Sequence, residues 1–208
     1  MAAKIWDTIR PLRLETADYL ESLTPEQWGA PSLCTGWKVK DIAAHLVGAA
    51  YNTPGHFFSG LIGSGFSFNK FIDKDIATYS SATPAEGAKR LRDAADRTTS
   101  PPGPTLTMLG ENIVHPEDIR RALGSVPGVY PADAVVSVLN FYKGSNLIIG
   151  SKKRIAGLTL RATDVDWSTG SGPEVAGPAL ALLQAMTGRK AALDDLKGDG
   201  VATLKSRA

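Results

Sequence analysis

A single cysteine, Cys34, stands in a chain of 208 residues. No disulfide can form within the chain, and such sparing use fits a reducing compartment. Histidine is nearly as scarce, with only His45, His56 and His115. No stretch approaches the roughly 20 apolar residues of a membrane span. The opening MAAKIWDTIRPLRLET is charged throughout and holds no apolar run of signal-peptide length. An excess of one charge is missing too. The 23 Lys and Arg against 21 Asp and Glu leave a formal +2, which gives no electrostatic footprint for nucleic acid or an anionic membrane. The expectation is a soluble, cytoplasmic protein that binds neither, as a monomer or homodimer.

What is present is an ordinary globular composition, 43% hydrophobic and 21% charged, long enough to bury a sizeable core. Residues 4 to 22 carry a helical period through Ile5, Ile9 and Leu12, with Tyr19 and Leu20 near the same face. Pro11 argues for a kink or a late start. Thr24, Pro25 and Gln27 form a capping pattern that predicts a short turn. A helix begins near Val39 and presents Ile42, Ala43, Leu46, Val47 and Ala50, with His45 at its edge. NTPGHFF is a place for a kink or break. FNKFIDKDIATYSS, TPAEGAKRLRDAADR with Thr83 as N-cap, TLTMLGENIVH and PADAVVSVLNFYKGSNLII read as further helices. After about residue 150 the period changes. RIAGLTLRATDVDW alternates through Ile155, Leu158, Leu160 and Ala162 as strands do. STGSGPEVAGP turns into another short strand, ALALLQAMTG is a helix closed by Gly188, and the tail adds a short helix and a strand. The reading is an α+β protein, with a helical bundle over 1–148 and a small α/β domain over 149–208.

The residues for chemistry gather in GENIVHPEDIRRALG. Glu111 and His115, four apart, project from one helix face, and Asp118 lies near the same stripe. A carboxylate and an imidazole one turn apart can share an ion, but a third ligand must come from another helix. His45 and His56 are eleven residues apart, roughly 16 Å on an unbroken helix, so they do not both reach one ion unless the chain folds back at Pro54-Gly55. His45 is the better placed. The set His45, Glu111 and His115 is of the catalytic zinc type, with an open fourth position. A hydrogen-bonded polar network or a solvated face explains the same spacing. Pro116 disfavours helix at His115 and predicts a kink or a new turn. That turn carries Asp118, either behind a ligand imidazole or paired with Arg121. Cys34 reads as a small packing residue rather than a nucleophile or an extra ligand. His56 lies at a pocket entrance or on the surface. Trp28 and Trp37 pack a loop on the bundle, and Trp167 fits a domain core better than a roof over a site.

Three stretches then carry a resemblance. EQWGAPSLCTGWKVKDIAAHL, GENIVHPEDIRRALG and GLTLRATDVDWSTGSGPEVAGPALALLQAMTGR, in this order over nearly the whole chain, resemble the signatures of the mycothiol-dependent maleylpyruvate isomerase family. The resemblance implies a DinB-like four-helix bundle with a small C-terminal α/β domain. It also implies a divalent metal, zinc foremost and nickel second, on His45, Glu111 and His115. Mycothiol is the implied thiol cosubstrate. The implied activity is isomerisation of maleylpyruvate, or transfer of the thiol to another small electrophile. A non-catalytic metal- or small-ligand-binding protein on the same scaffold is the alternative. A substrate carboxylate would need a cation, and Arg120, Arg121, Arg154, Arg161 and Arg189 are the candidates, with none preferred. No catalytic residue beyond the ligands is named.

Overall fold

In the computed structural model, which describes residues 2–146 and 149–208, the chain divides into two compact units, Met1–Gly128 and Val129–Ala208. The first is helical. Helix α1 (Ala2–Glu21) buries Ile9, Leu12, Arg13, Thr16, Ala17 and Leu20, the i, i+3, i+4 spacing of one face. It starts well before Pro11 and runs through it, where a late start was the alternative expected. The carbonyl deprived of its amide partner belongs to Asp7, which is exposed like Pro11, so water can take the missing bond. Arg13 is buried with its guanidinium on the carbonyls of Ala94, Ala95 and Arg97, at the C-terminal end of α6 (Pro84–Asp93). That cation caps the carbonyls a helix leaves without partners. Burial and the nearby Arg97 charge bring its pKa down to about 10.

The predicted capping pattern forms around α2 (Pro25–Trp28). Gln27 N donates to Thr24 Oγ1, and Thr24 N donates back to Gln27 Oε1. Helix α3 (Val39–Tyr51) buries the predicted Val39, Ile42, Ala43, Leu46, Val47 and Ala50. The break after it falls at Asn52-Thr53. Thr53 caps α4 (Pro54–Gly63), so PGHFF and SGLIG share one helix. Helix α5 (Phe68–Tyr79) leans on α3, and Thr83 caps α6 as its sequence predicts. Helix α7 (Leu106–Ala122) closes the arrangement. Contacts of α1 with α6 and α7, and of α3 with the same two helices, make a four-helix ring. Its apolar interior runs from Leu20 and Trp28 through Ile42 and Leu46 to Leu91 and Ile119.

The second unit is α/β. Helix α8 (Ala132–Tyr142) packs on α10 (Ala179–Met186). The sequence reading placed α8 in the bundle and the boundary at 148/149. Contacts group it with the C-terminal residues instead, because its apolar face meets α10. Its predicted extension through SNLII ends at Tyr142, with Leu147 and Ile148 outside the described residues. A short helix α9 (Ser151–Arg154) leads into strands β1 (Thr159–Ala162), β2 (Ser168–Gly170) and β3 (Glu174–Gly177). Their order is β2-β1-β3, antiparallel on the first side and parallel on the second. The strand predicted from Ile155 begins only at Thr159, since Ser151–Arg154 is helical. Gly170, at φ 83°, sits where a Cβ would lie 2.1 Å from the Leu158 carbonyl oxygen. The expected tail strand is a single bridge between Ala176 and Lys197, set between a 3-10 helix (Lys190–Asp195) and α11 (Val201–Arg207). Gly188 follows α10 in the left-handed region, as a helix-closing glycine. No helix among the described residues is long and apolar enough to cross a membrane.

The tightest approach in the bundle is at Gly87 of α6. A Cβ there would lie 2.3 Å from the buried Trp28 ring, whose Nε1 donates to Ser81 O at 3.3 Å. Gly87→Ala gains helix propensity but overpacks this contact, and should lower stability by about 1–3 kcal/mol in urea denaturation. A stabilised variant would show that Trp28 has room to move.

Candidate metal centre on helices α3 and α7

Helix α7 runs as one element through Pro116 to Ala122, so Pro116 does not begin the new turn that was one of the two outcomes expected. Pro116 is buried, and Asp118 shares the helix with Glu111 and His115. Packing of α7 against both α1 and α3 holds the helical geometry against the local cost of the proline. The helical period therefore carries straight through, and spacings of four and three set Glu111, His115 and Asp118 along one stripe.

The neighbouring helix supplies the third group. His45 on α3 places Nε2 2.8 Å from Glu111 Oε2. His115 places its own Nε2 3.0 Å from the same oxygen. One donor atom from each of His45, Glu111 and His115 lies within 4.8 Å of the others. The two imidazoles meet edge to face, with centroids 4.9 Å apart. Side-chain exposure is 14% for His45, 12% for His115 and 31% for Glu111, so the carboxylate is the group most open to solvent.

His115 uses its other nitrogen inward. Nδ1 lies 3.0 Å from Oδ2 of Asp118, whose side chain is fully buried. Cys34 Sγ lies 3.2 Å from that same Oδ2 and 3.7 Å from Nδ1. Cys34, His115 and Asp118 thus form a second convergent set that shares His115. Here the buried carboxylate is already engaged by a ring nitrogen and a thiol. The first set has the solvent-facing carboxylate and is the better placed to receive an ion.

The electrostatics follow from these contacts. Burial alone would push the Glu111 carboxyl up. The His115 charge and hydrogen bond, with the bond from His45, outweigh it and hold the carboxyl well below its usual range. Burial alone would depress His115. The Glu111 charge and the hydrogen bonds with Asp118, Cys34 and Glu111 raise it well above the ordinary imidazole value.

Some residues at this centre were assigned another role from sequence. Trp37 lies with its ring 5.2 Å from His45 and 6.3 Å from His115, centroid to centroid, and so walls the site as well as packing its loop. Cys34 touches the polar cluster directly. Both come from one loop tied back by a Pro31–Lys38 bridge and by Leu33 N donating to Asp118 O at 3.4 Å. Gly-Trp after a cysteine, eight residues before the histidine, was the available signal.

Other candidates lie elsewhere. His56 on α4 pairs with Asp75 of α5 at 2.9 Å and packs against Phe71. Arg120 is buried over the Tyr19 ring and bonds Glu15. Arg154 donates to the carbonyls of Ile149 and Met186, and Arg189 to that of Thr187. Arg161 forms a two-bond pair with Glu174 at 2.8 and 2.9 Å. Arg121 sits half-buried in the last turn of α7. Trp167 is buried in the second unit with Nε1 on Asn140 Oδ1, at 3.1 Å, as a core tryptophan.

Residues 9–102 match the family model described as the mycothiol maleylpyruvate isomerase N-terminal domain. That span holds Cys34, Trp37 and His45, while Glu111, His115 and Asp118 lie beyond it. Two solved structures share the fold: the crystal structure of the mycothiol-dependent maleylpyruvate isomerase, and that of a histidine-to-alanine mutant of it. Each aligns with a TM-score of 0.66 at 15% identity, over 96% of this chain and 93% of that chain. No curated protein matches the chain. Residues 9–102 are thus similar to the mycothiol maleylpyruvate isomerase N-terminal domain, and the chain as a whole shares the fold of the solved isomerase.

Proposed function

We propose that this chain holds one divalent metal on His45 Nε2, Glu111 Oε2 and His115 Nε2. With mycothiol as cosubstrate, it isomerises a small maleylpyruvate-like electrophile or transfers the thiol to one. The observation that carries the reading is two imidazole nitrogens from two helices meeting on one carboxylate oxygen, at 2.8 and 3.0 Å. The name of the family and of the solved structures with this fold supplies the thiol and the substrate class.

The donors suit the group. Zinc takes nitrogen at about 2.0–2.1 Å, and tetrahedral angles then separate neighbouring donors by roughly 3.3 Å. The observed contacts are shorter by a few tenths of an ångström, the spacing of hydrogen bonds that an ion replaces. Two imidazoles and one carboxylate leave a fourth position open, and the set accepts nickel as well as zinc. Bound there, the ion supplies a position at which a thiol ionises near neutral pH.

The chain's own residues set up that position. Asp118 accepts the Nδ1 proton of His115 and so presents Nε2 toward Glu111. Trp37 covers the rings on one side and keeps water from them. Isomerisation of a conjugated cis double bond needs a thiolate to add, the new single bond to rotate and the same thiolate to leave, so no atom is gained or lost. Addition followed by protonation of the resulting carbanion, with the proton the thiol gave up, is thiol transfer.

The rival reading is a polar network with no ion, and it rests on the same short contacts, which already satisfy the three groups. Metal content separates the two. Protein expressed with zinc and nickel should carry about one equivalent by elemental mass spectrometry, and His115→Ala should lose at least about nine-tenths of it. Metal-free wild type under replete conditions would sink the metal reading and the thiol chemistry with it.

The network also makes a prediction for protein held in chelator. The raised His115 value means that its stabilisation is complete below the ordinary 6.5 and is lost as pH rises through the raised value. The lowered Glu111 value means that its stabilisation is complete above the ordinary 4.5 and is lost as pH falls through the lowered value. Both are present between 4.5 and 6.5. Urea denaturation should show wild type more stable than Glu111→Gln by about 2 kcal/mol near pH 5.5, with the gap closing toward alkaline pH. A gap that widens with rising pH would contradict the ion pair.

A further inference from the structure

Cys34 is the chain's one thiol, and the proposed chemistry leaves it without a task. Its loop is tightly built. Cys34 N donates to Ser32 Oγ at 3.2 Å, Ser32 Oγ donates to Trp37 O at 2.8 Å, and Trp37 N donates to Cys34 O at 3.0 Å. Leu33 N reaches the carbonyl of Asp118. The turn delivers Sγ to 3.2 Å from Asp118 Oδ2, the oxygen that His115 Nδ1 meets at 3.0 Å. Two donors from two parts of the chain therefore converge on one oxygen of a fully buried carboxylate.

Such an oxygen has two lone-pair directions. The imidazole N–H occupies one and the S–H the other, which pins the rotation of the carboxylate. The identity of the second donor matters. A cation there would compete with the imidazole for the charge of Asp118. A thiol is a weak, neutral donor, so it orients the carboxylate without opposing its pull on the N–H of His115. That pull makes the opposite nitrogen a better ligand. Sγ stands on the Nδ1 edge of the ring, whereas Glu111 faces Nε2. It is therefore on the wrong edge to join an ion held by His45, Glu111 and His115.

We infer that Cys34 is a positioning residue of this centre: by donating its S–H to Asp118 Oδ2 it fixes the carboxylate that orients His115. The inference rests on the metal reading given above, and it also has a consequence that needs no metal. In the metal-free protein the His115 ring is held by the same relay.

The test titrates zinc into metal-free wild type, Cys34→Ala and Cys34→Ser, and records the ring ¹⁵N resonances of His115 before zinc is added. Cys34→Ala should weaken zinc binding about tenfold, the low end for a partner behind a ligand. Its His115 resonances should move in the metal-free state. The hydroxyl of Cys34→Ser donates to the same oxygen, so binding should stay within about threefold of wild type and the resonances should return. Cys34→Ala that binds zinc as wild type does, with His115 unmoved, overturns the inference even if its melting temperature falls, because the cysteine then only packs. Wild type that takes no zinc defeats the metal reading instead. The resonances alone then decide, with a shift in alanine restored by serine supporting the relay and no shift overturning it. If Cys34→Ala fails to fold, capping the folded wild-type thiol with a methylthio group removes the same S–H, and the same two outcomes apply.

Discussion

Everything at the candidate centre depends on one oxygen, Oε2 of Glu111, which receives a nitrogen from each of two helices. Alone in a bundle, a carboxylate with limited access to water is costly, and so is a charged imidazole. Together they offset each other. Removing one partner leaves the other charge behind with fewer partners. The pairing also fixes how α3 and α7 meet. Buried Ala44 and Leu46 flank His45 on α3, and buried Gly110 and Asn112 flank Glu111 on α7.

Behind that oxygen the polar atoms form a line: Cys34 Sγ, Asp118 Oδ2, then the two nitrogens of His115, then Glu111 and His45. Each member is fixed by a different part of the fold. The loop is anchored to α7 by a backbone bond, Asp118 and His115 share a helix, and His45 comes from α3. An imidazole held at both nitrogens has one ring orientation. This is preorganisation: the groups need no search when a ligand arrives, and their entropy cost is met in folding.

The sequence made part of this legible. Glu111, His115 and Asp118 could be put on one face because helical period is local and survives in the pattern. His45 could be singled out by its place in an apolar helix. The new turn expected at Pro116 does not form, because the cost of the proline is local, whereas the packing that keeps α7 helical through it is not. The role of Trp37 beside the two rings, and that of Cys34 beside Asp118, could not be read, since both arise from a loop closing on a helix about 80 residues away in sequence. Capping at Thr24, Thr53 and Thr83 involves neighbours three residues apart, which is why Thr24 and Thr83 were readable. Helix α8 was correctly seen as a helix but joined to the bundle, because amphipathicity says that a face is buried and not against what.

The arrangement has a consequence for how a metal and a proton share the site. Nε2 of His115 cannot carry both. In the metal-free protein the raised affinity for a proton keeps the ring charged against Glu111. An ion on the same nitrogen must displace that proton, so the interaction that stabilises the empty network opposes loading. Asp118 limits the opposition, because it stabilises positive charge on the ring whether a proton or an ion provides it. The network therefore has the properties of a placeholder. It keeps each imidazole Nε2 within hydrogen-bond reach of Glu111 Oε2, a few tenths of an ångström closer than neighbouring donors on zinc would stand. Helix packing and hydrogen bonds hold His45, Glu111 and His115 together.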